Sequence, residues 1–281
     1  MIRERFFMDG RKFKFRFMVI SKAHIMAFVC VALAVVFAFC LATKTISTAA
    51  SSSKRKIPIY SVGMTEKKVC LTFDAAWGNE DTQQLIDILA QYNIKATFFI
   101  VGEWVDKYPE SVKALSDAGH SIQNHSDTHP HLTSLSREQV IKELENCNDK
   151  IEAITGVRPD LVRVPYGDYN NAVLEAAESI NMYTIQWDVD SLDWKDLSAK
   201  DIHSKVIKKV REGSIVLFHN AALHTPEALP MIIEDLLGDG YEFVTVGELI
   251  YKENYTIDHE GRQQSQTKPE AKDALSNQIE V

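Results

Sequence analysis

Cysteine is scarce in this chain. There are four cysteines in 281 residues, and only Cys70 and Cys147 lie beyond residue 56. A small secreted domain held together by disulfides would need more of them. Two cysteines could still pair in an oxidising compartment. Buried free thiols are the simpler interpretation, because Cys70 falls within an apolar strand pattern and Cys147 within a helical one. Neither cysteine is expected to act as a nucleophile.

Basic residues are also scarce outside the N-terminal segment. Residues 57–281 contain 20 Lys and Arg against 37 Asp and Glu, a net charge of −17. Such a domain lacks the basic surface that neutralises phosphates, so no nucleic-acid partner is expected. The first 56 residues show the opposite balance, with 11 basic residues against 2 acidic ones.

Apolar runs are short except for one segment. Residues 25–42 are apolar without interruption, and as a helix at about 1.5 Å per residue they would span roughly 27 Å, close to the thickness of a bilayer core. The preceding basic residues favour a cytoplasmic N-terminus. We therefore expect a single transmembrane helix that anchors an extracytoplasmic domain in the cell membrane. The alternative is a cleaved signal peptide and a secreted protein, since small residues follow the run at Ser47-Thr48-Ala49.

Composition divides the chain into three parts. Residues 1–56 comprise the basic segment, the apolar run and a Ser-, Ala- and Lys-rich stalk. Residues 57–253 form a folded domain, long enough to bury a full hydrophobic core. Residues 254–281 are polar without apolar periodicity and are expected to be disordered.

Short apolar runs alternate with helical patterns through the folded domain. The predicted strands are Val69–Phe73, Ala96–Val101, His120–Gln123, Leu161–Val164, Met182–Trp187, Ser214–Phe218 and Glu242–Thr245. The predicted helices are Glu80–Tyr92, Glu110–Ala118, Arg137–Thr155, Ala172–Ile180, Ala199–Val210 and Pro226–Leu237. This alternation predicts an α/β fold with a parallel sheet. The pattern alone leaves open whether seven strands close into a barrel or form an open, doubly wound sheet.

Polar residues gather where the predicted strands end. They are Asp74, His125, Arg163 with Tyr166, Asp188 with Asp190, and His219. Parallel strands share one C-terminal edge, and in barrels of this kind that edge carries the chemistry. We therefore expect these side chains to converge, with Arg163 reaching Asp74.

Each of these residues also has a simpler interpretation. His125 and His129 are four residues apart, so on a helical turn they would face the same way and could bind a metal ion, although such pairs also occur incidentally on surfaces. Asp74 could cap a turn, and Arg163 could form a structural salt bridge. His219 could be an ordinary hydrogen-bonded histidine; with Asp193 available to orient it, a general acid is credible.

Five segments together resemble the polysaccharide deacetylases of carbohydrate esterase family 4, the NodB-homology proteins. Thr72-Phe73-Asp74 resembles the first family motif and His125-Ser-Asp-Thr-His129 the second. Arg163-Val-Pro-Tyr166-Gly resembles the third, Asp193-Trp194 the fourth and Leu217-Phe-His219 the fifth. They occur in family order over roughly residues 60–250.

The resemblance implies a distorted (β/α)7-type barrel and metal-assisted removal of N-acetyl groups from amino sugars, with peptidoglycan of the cell wall as the substrate. By resemblance Asp74 is the general base, Arg163 orients it, and His219, tuned by Asp193, protonates the departing amine. His125 and His129 would hold a divalent metal, zinc or cobalt. The remaining residues would contact substrate: the backbone near Tyr166 would stabilise the oxyanion, and Trp194 and Leu217 would line the acetyl pocket.

One position departs from the family pattern. Ala75 stands where the family has a second aspartate that is the third metal ligand, so metal binding is expected to weaken unless Asp74, Asp127 or His131 substitutes. The alternative function is therefore a weakly active or inactive wall-binding protein with the same fold. The Thr-Phe-Asp-x-x-Trp-Gly form resembles the sporulation-associated PdaB-like branch, which implies spore peptidoglycan.

Overall fold

The structure is a computed structural model that describes residues 21–48 and 55–266. It forms two compact units divided between Lys54 and Arg55. The predicted basic cytoplasmic segment, most of the stalk's second half and the end of the predicted disordered tail lie outside the described residues.

The first unit contains one helix, α1 (Lys22–Thr48), over the predicted apolar run. Nowhere in residues 21–48 and 55–266 is a helix both long and apolar enough to cross a bilayer. The helical part of the prediction for residues 25–42 is confirmed.

The second unit alternates strands and helices, as the apolar runs predict. Its strands are β1 (Ser61–Gly63), β2 (Lys68–Ala75), β3 (Thr97–Ile100), β4 (Ser121–Asn124), β5 (Leu161–Val162), β6 (Tyr183–Thr184), β7 (Val189–Asp190), β8 (Ser214–His219), β9 (Glu242–Phe243), β10 (Tyr255–Ile257) and β11 (Arg262–Ser265). Its helices are α2 (Thr82–Gln91), α3 (Gly102–Lys107), α4 (Pro109–Asp117), α5 (Arg137–Thr155), α6 (Asn171–Ser179), α7 (Ala199–Ile207), α8 (Thr225–Gly238) and α9 (Val246–Leu249). Short 3₁₀ turns cover 132–134, 165–167 and 193–195.

Local capping explains where helices α5 and α7 begin. Ser136 and Gln139 form a capping box at the start of α5, and the Ser198 side chain accepts the Asp201 N–H at the start of α7. Helix α5 ends at Gly156, whose φ of 73° is a left-handed conformation that glycine adopts without steric cost. These signals are visible in the sequence, so helix bounds were predictable to within a few residues.

The strands form one curled sheet. Its order is β10-β11-β1-β8-β2-β3-β4-β5-β6, with β7 on β8 and β9 on β2. The pairs among β2, β3, β4, β5, β6 and β8 are parallel. These parallel strands run from β8 at one end to β6 at the other. The segment around β1 contacts both ends, because Ile59 pairs with Ile185, just after β6, and Ser61 pairs with Ser214 of β8. The predicted α/β class is confirmed, as a half-barrel sheet consistent with a distorted barrel.

Strand alternation separates two apolar layers. In β2, Val69, Leu71 and Phe73 pack with helix residues, whereas Cys70 packs with Phe99 of the neighbouring strand in a second cluster. Because successive side chains point to opposite faces, the second face carries Cys70, Thr72 and Asp74 along β2. The inner face of the curled sheet therefore ends in a carboxylate. Cys70 and Cys147 are both buried free thiols, as expected.

The expectation that disorder begins at Asn254 is wrong for the residues up to 266. Strands β10 and β11 pair with each other, and β11 pairs in parallel with β1. Gln263 is fully buried, and its amide nitrogen donates to the Tyr251 carbonyl at 2.6 Å. Buried side-chain hydrogen bonds, rather than apolar periodicity, hold this polar hairpin, which explains why hydrophobic pattern did not reveal it.

Buried His120 makes the fold sensitive to acid. Burial, with some help from Lys95, lowers the pKa of His120 to about 4, and its Nδ1 accepts the Ala96 N–H at 3.2 Å. An unfolded histidine titrates near 6.5, so between these values the unfolded chain binds a proton that the native state excludes, and stability falls as pH falls. Between about pH 7 and pH 4.5 the native chain should lose about 2–3 kcal/mol more than a His120→Asn variant.

Urea denaturation of both proteins across that range measures the difference. Asparagine keeps a side-chain acceptor for Ala96 and removes the titration, while all other histidines are unchanged. Equal pH slopes for the two proteins would contradict this account of His120.

Candidate active site

The chemistry-bearing residues converge on one cavity of about 420 Å³ at the C-terminal ends of the inner-face strands. Its lining includes four predicted residues of the acid, base and metal sets, namely Asp74, His125, His129 and His219. The other lining residues are Ala76, Trp77, Tyr166, Gly167, Trp187, Asp190, Trp194 and Leu217. The structure thus brings together residues separated by up to about half of the chain.

Asp74 is a buried carboxylate held by a buried arginine. Arg163, which is fully buried, donates from Nη1 to Asp74 Oδ1 at 2.7 Å and from Nη2 to the Gln186 carbonyl at 3.1 Å. Burial alone would raise the pKa of Asp74, but the positive charge of Arg163, helped by His125 and His219, lowers it below its ordinary value. Asp74 is therefore ionised at neutral pH, as a general base must be.

Two aromatic rings also flank the Arg163 guanidinium. Its central carbon lies 4.2 Å from the Phe99 ring centroid and 5.6 Å from that of Trp187. Cation–π attraction of this kind is strongest where water is excluded. The guanidinium is thus held both by its hydrogen bonds and by the two aromatic rings.

His125 and His129 lie side by side, but not on a helical turn. Their ring centroids are 4.9 Å apart, while the connecting residues form a loop in which Ser126 and His129 adopt positive φ. His125 Nδ1 donates to the Arg163 carbonyl at 2.7 Å, which leaves its Nε2 3.5 Å from Asp74 Oδ2. The predicted proximity is confirmed, and the helical geometry assumed for it is wrong.

A residue outside the motifs holds this loop. The Glu143 carboxylate of α5 accepts the backbone N–H groups of Asp127 and Thr128 at 3.1 and 2.9 Å, and the Thr128 hydroxyl at 3.0 Å. Sequence reasoning missed Glu143, because a single acidic residue on a helix surface carries no pattern that points to a loop.

His219 is oriented by Asp193 on the other side of the cavity. Its Nδ1 donates to Asp193 Oδ1 at 2.8 Å, and its backbone N–H donates to Oδ2 at 2.8 Å. The same carboxylate accepts the Thr225 hydroxyl at 2.7 Å. Burial would lower the pKa of His219, but the hydrogen bond and charge of Asp193 outweigh it and raise that pKa. A histidine tuned in this way keeps its proton to higher pH than an ordinary imidazole does.

The residues predicted to contact substrate also reach the cavity. Tyr166 has a φ of 60° inside the turn at 165–167, a strained conformation of the kind that clusters at functional sites. Its hydroxyl donates to the His129 carbonyl at 3.2 Å. Trp194 follows Asp193 directly and Leu217 precedes His219 by two residues on the same face of β8.

One predicted edge residue lies elsewhere. Asp188 accepts the Ile215 N–H and the Ser214 hydroxyl, both at 2.9 Å, so it caps the start of β8 rather than its end. Of the predicted strand Met182–Trp187 only Tyr183–Thr184 forms a strand, β6; the short strand β7 follows Asp188 and pairs in parallel with β8. Asp190, which ends β7, does line the cavity.

The donor set does not fit the metal that the family resemblance implies. Within residues 21–48 and 55–266, no group of three or more His, Cys, Asp and Glu side chains is arranged to hold a metal ion. Asp127 pairs with Lys150 at 2.6 Å, and His131 pairs with Asp168 at 3.2 Å. Neither replaces the missing ligand. Two imidazoles alone fall short of the three protein ligands usual in catalytic zinc sites.

Ala75, which stands in place of the third ligand, is buried in an apolar layer. Ala75 is 1% exposed and packs with the apolar residues between β2 and the helices, on the face opposite Asp74.

Burial lowers the pKa of His129 to about 4 and also lowers that of His125, so both imidazoles are neutral at pH 7. Neutral imidazoles are suitable ligands, and the deficiency lies in their number.

Comparisons with known proteins agree with the motifs. Residues 61–185 match the family model for polysaccharide deacetylase. The peptidoglycan-N-acetylmuramic acid deacetylase PdaA of Bacillus subtilis is 34% identical over 207 residues, which cover 72% of this chain and 79% of PdaA. The Bacillus subtilis deacetylase PdaC is 38% identical over 67% of this chain; the chain spans only 40% of the length of PdaC.

A solved structure of similar fold belongs to a protein described as a pseudoenzyme. BA3943 of Bacillus anthracis, described as a carbohydrate esterase family 4 pseudoenzyme, is 35% identical with a TM-score of 0.67, covering 69% of each chain. A mutant of BA3943 is described as having restored enzymatic activity. Motifs, fold and relatives agree, and the chain therefore belongs to the polysaccharide deacetylase family, carbohydrate esterase family 4.

Proposed function

We propose that this protein removes N-acetyl groups from the amino sugars of peptidoglycan. One observation carries the proposal: a carboxylate held ionised by Arg163 and an imidazole held by Asp193 face the same cavity. The pKa of Asp74 is lowered and that of His219 is raised. Acid–base hydrolysis requires such a pair, one group that is ionised to act as base and one that is protonated to act as acid. The named substrates of PdaA and PdaC support peptidoglycan as the polysaccharide.

The residues of the site define a hydrolytic sequence. Asp74 accepts a proton from a water molecule while the oxygen of that water attacks the acetamide carbonyl carbon. His219 then gives the proton on its Nε2 to the amide nitrogen as the carbon–nitrogen bond breaks, which releases acetate and a free amine. Backbone donors in the Tyr166 turn would stabilise the oxyanion. Trp194 and Leu217 would enclose the acetyl group, since the cavity wall is apolar beside them.

A second candidate is a wall-binding protein that turns over little or no substrate. The methyl group of Ala75, in place of a carboxylate, favours it. The description of BA3943 as a pseudoenzyme lends further support. This alternative keeps the same cavity and the same glycan, so it differs from the first in turnover and not in binding.

Acetate release from purified peptidoglycan, with and without added zinc or cobalt, tests the enzymatic proposal. Co-sedimentation with the same peptidoglycan tests binding. Acetate released in either condition supports the deacetylase. Binding without any acetate supports the second candidate, and absence of both overturns the peptidoglycan assignment itself.

Restoring a carboxylate at Ala75 separates the two candidates further. Ala75→Asp should tighten zinc binding by about 10-fold or more, because a third, charge-assisted ligand is worth at least ~1.4 kcal/mol. Without zinc the variant should be less stable, since the position is buried among apolar side chains. Calorimetric zinc titration and thermal unfolding with and without zinc measure both effects.

Ala76→Asp is the positional comparison for this variant. Ala76 lines the cavity itself, so its carboxylate could also reach the two imidazoles, and tighter zinc binding there than in Ala75→Asp would show that position 75 is not where the third ligand is missing. Tight zinc binding by the unmodified chain would contradict the prediction. Tighter binding by Ala75→Asp with no acetate from any glycan would favour the wall-binding protein.

We further propose that the domain works outside the cytoplasm, where peptidoglycan lies, and that its context is spore formation. The basic residues before position 25 and the Thr72-Phe73-Asp74-Ala-Ala-Trp77-Gly segment support this. Protease accessibility in intact protoplasts, compared between vegetative and sporulating cells, tests both parts. A domain protected from protease in both states would contradict the location.

A further inference from the structure

Within residues 55–266, the large aromatic side chains that are exposed lie around the cavity. Trp77, Tyr166 and Trp194 are 57%, 60% and 52% exposed, and all three line it. Among the other exposed large apolar residues described in residues 55–266, Leu223 follows β8 closely, whereas Val157 and Leu237 lie elsewhere. Exposed apolar area of this size, gathered at one mouth, marks a binding surface. Tyr166 and Trp194 belong to the five family motifs, whereas Trp77 appears only in the Thr-Phe-Asp-x-x-Trp-Gly form of one branch and has been given no role.

Trp77 lies directly beside the proposed acid. Its ring centroid is 5.8 Å from that of His219, with the two planes inclined by 33°. The indole is nevertheless more than half exposed. A large aromatic residue that contacts a site on one side and solvent on the other offers a flat apolar platform to a ligand.

The loop that carries Trp77 is held firmly. Asn220, which is 3% exposed, accepts the Ala76 N–H at 3.2 Å and donates to the Gly78 carbonyl. The Trp104 indole donates to the same carbonyl at 3.0 Å. Ala76 and Gly78, on either side of Trp77, are therefore both hydrogen-bonded to the domain. The indole is exposed although its backbone is held in place.

A second tie joins this loop to the segment after His219. The Ala221 N–H donates to Asp81 Oδ2 at 2.8 Å, and the Asn220 N–H donates to the Asp74 carbonyl at 3.1 Å. The loop bearing Trp77 and the strand end bearing His219 thus behave as one rigid wall. A ligand that stacks on Trp77 is positioned relative to the His219 imidazole without loop ordering, which lowers the entropic cost of binding.

We propose that Trp77 is a substrate-contacting residue, a stacking platform for a sugar ring of the glycan on the His219 side of the cavity. A pyranose ring has an apolar face of C–H groups that matches an indole, and its hydroxyl rim stays in water. The platform extends the site beyond the single sugar that carries the reacting amide. The inference rests on the proposed function, and it specifies a glycan oligomer rather than a monosaccharide as the ligand.

Calorimetric binding of a β-1,4-linked N-acetylglucosamine tetramer tests the platform without requiring turnover. Trp77→Ala should weaken binding by about 10-fold, and Trp77→Phe should stay within about 3-fold of the unmodified chain, because a smaller ring still stacks. Val157→Ala is the matched control: it removes an exposed apolar side chain, 65% exposed, ahead of β5 at the opposite edge of the sheet. It should bind as the unmodified chain does.

The outcomes are distinguishable. Equal affinity of Trp77→Ala and the unmodified chain would overturn the platform while leaving the proposed function intact. An equal loss in Val157→Ala would also overturn it, since the effect would then not depend on the cavity. No binding of the tetramer by the unmodified chain would overturn the platform, and no binding of purified peptidoglycan either would overturn the proposed function as well. Thermal unfolding of each variant establishes that it is folded.

Discussion

Replacing Arg163 by methionine should destabilise the domain by about 3–5 kcal/mol at neutral pH, because it leaves a buried carboxylate without its charged partner. Arg163 is the largest fully buried side chain described, and Asp74 is 5% exposed. Their 2.7 Å ion pair offsets the free-energy cost of burying the charge of Asp74. Methionine has a similar length and fills the space between Phe99 and Trp187, so the loss reports charge rather than a cavity.

A double-mutant cycle tests this interpretation. Asp74→Asn removes the carboxylate charge, and the Arg163→Met/Asp74→Asn variant removes both charges. The double variant should be more stable than Arg163→Met alone, because no unpaired charge remains. Urea denaturation of the four proteins at one pH measures the cycle. If the two single losses simply add, Arg163 stabilises the fold by packing and the ion-pair argument is wrong.

The same alternation that orders the core explains how much of the site was predictable. Inner-face positions recur every second residue, so Thr72 and Asp74 follow Cys70, and Leu217 and His219 follow Ile215. A polar residue that ends such a series must face the interior at the C-terminal edge. Asp74 and His219 could therefore be placed from the sequence, because strand period and parallel direction decide their position together.

Positions that depend on loops could not be placed in this way. Asp188 follows a predicted strand, yet its carboxylate accepts the Ile215 N–H and caps the start of β8 instead of lining the cavity. The loop between His125 and His129 is held by Glu143, a helix residue 14 positions beyond His129. Contacts of this kind depend on side-chain hydrogen bonds across long sequence separations, and no periodicity records them.

Ala75 shows a third limit. The sequence revealed the absent ligand through family resemblance, but only the structure shows that the methyl group is packed into the layer between sheet and helices. A replacement carboxylate there must leave an apolar environment before it can meet a metal. The cost of that movement, rather than the presence of a carboxylate, decides how far Ala75→Asp restores a metal site.

The largest effect on turnover is expected at His219. His219→Gln should lower kcat/KM for acetate release by about 10²–10⁴-fold, the usual contribution of a positioned general acid. Asp193→Asn should cause a smaller loss and a shift in the pH profile. The acid must be protonated to act, so activity falls as pH rises through the pKa of His219. Asp193 raises that pKa, and without its charge the alkaline limb should move to lower pH.

His203→Gln is the matched control for His219→Gln. His203 Nε2 contacts Asp235 Oδ2 at 2.7 Å, so it forms a His–Asp pair of nearly the same length between α7 and α8, away from the cavity lining. Its loss should leave kcat/KM and the pH profile unchanged. A comparable fall in both variants would mean that His219 acts through stability. An unshifted alkaline limb in Asp193→Asn would mean that a group other than His219 supplies the proton, since the charge that raises the His219 pKa would be gone without any effect on the reaction.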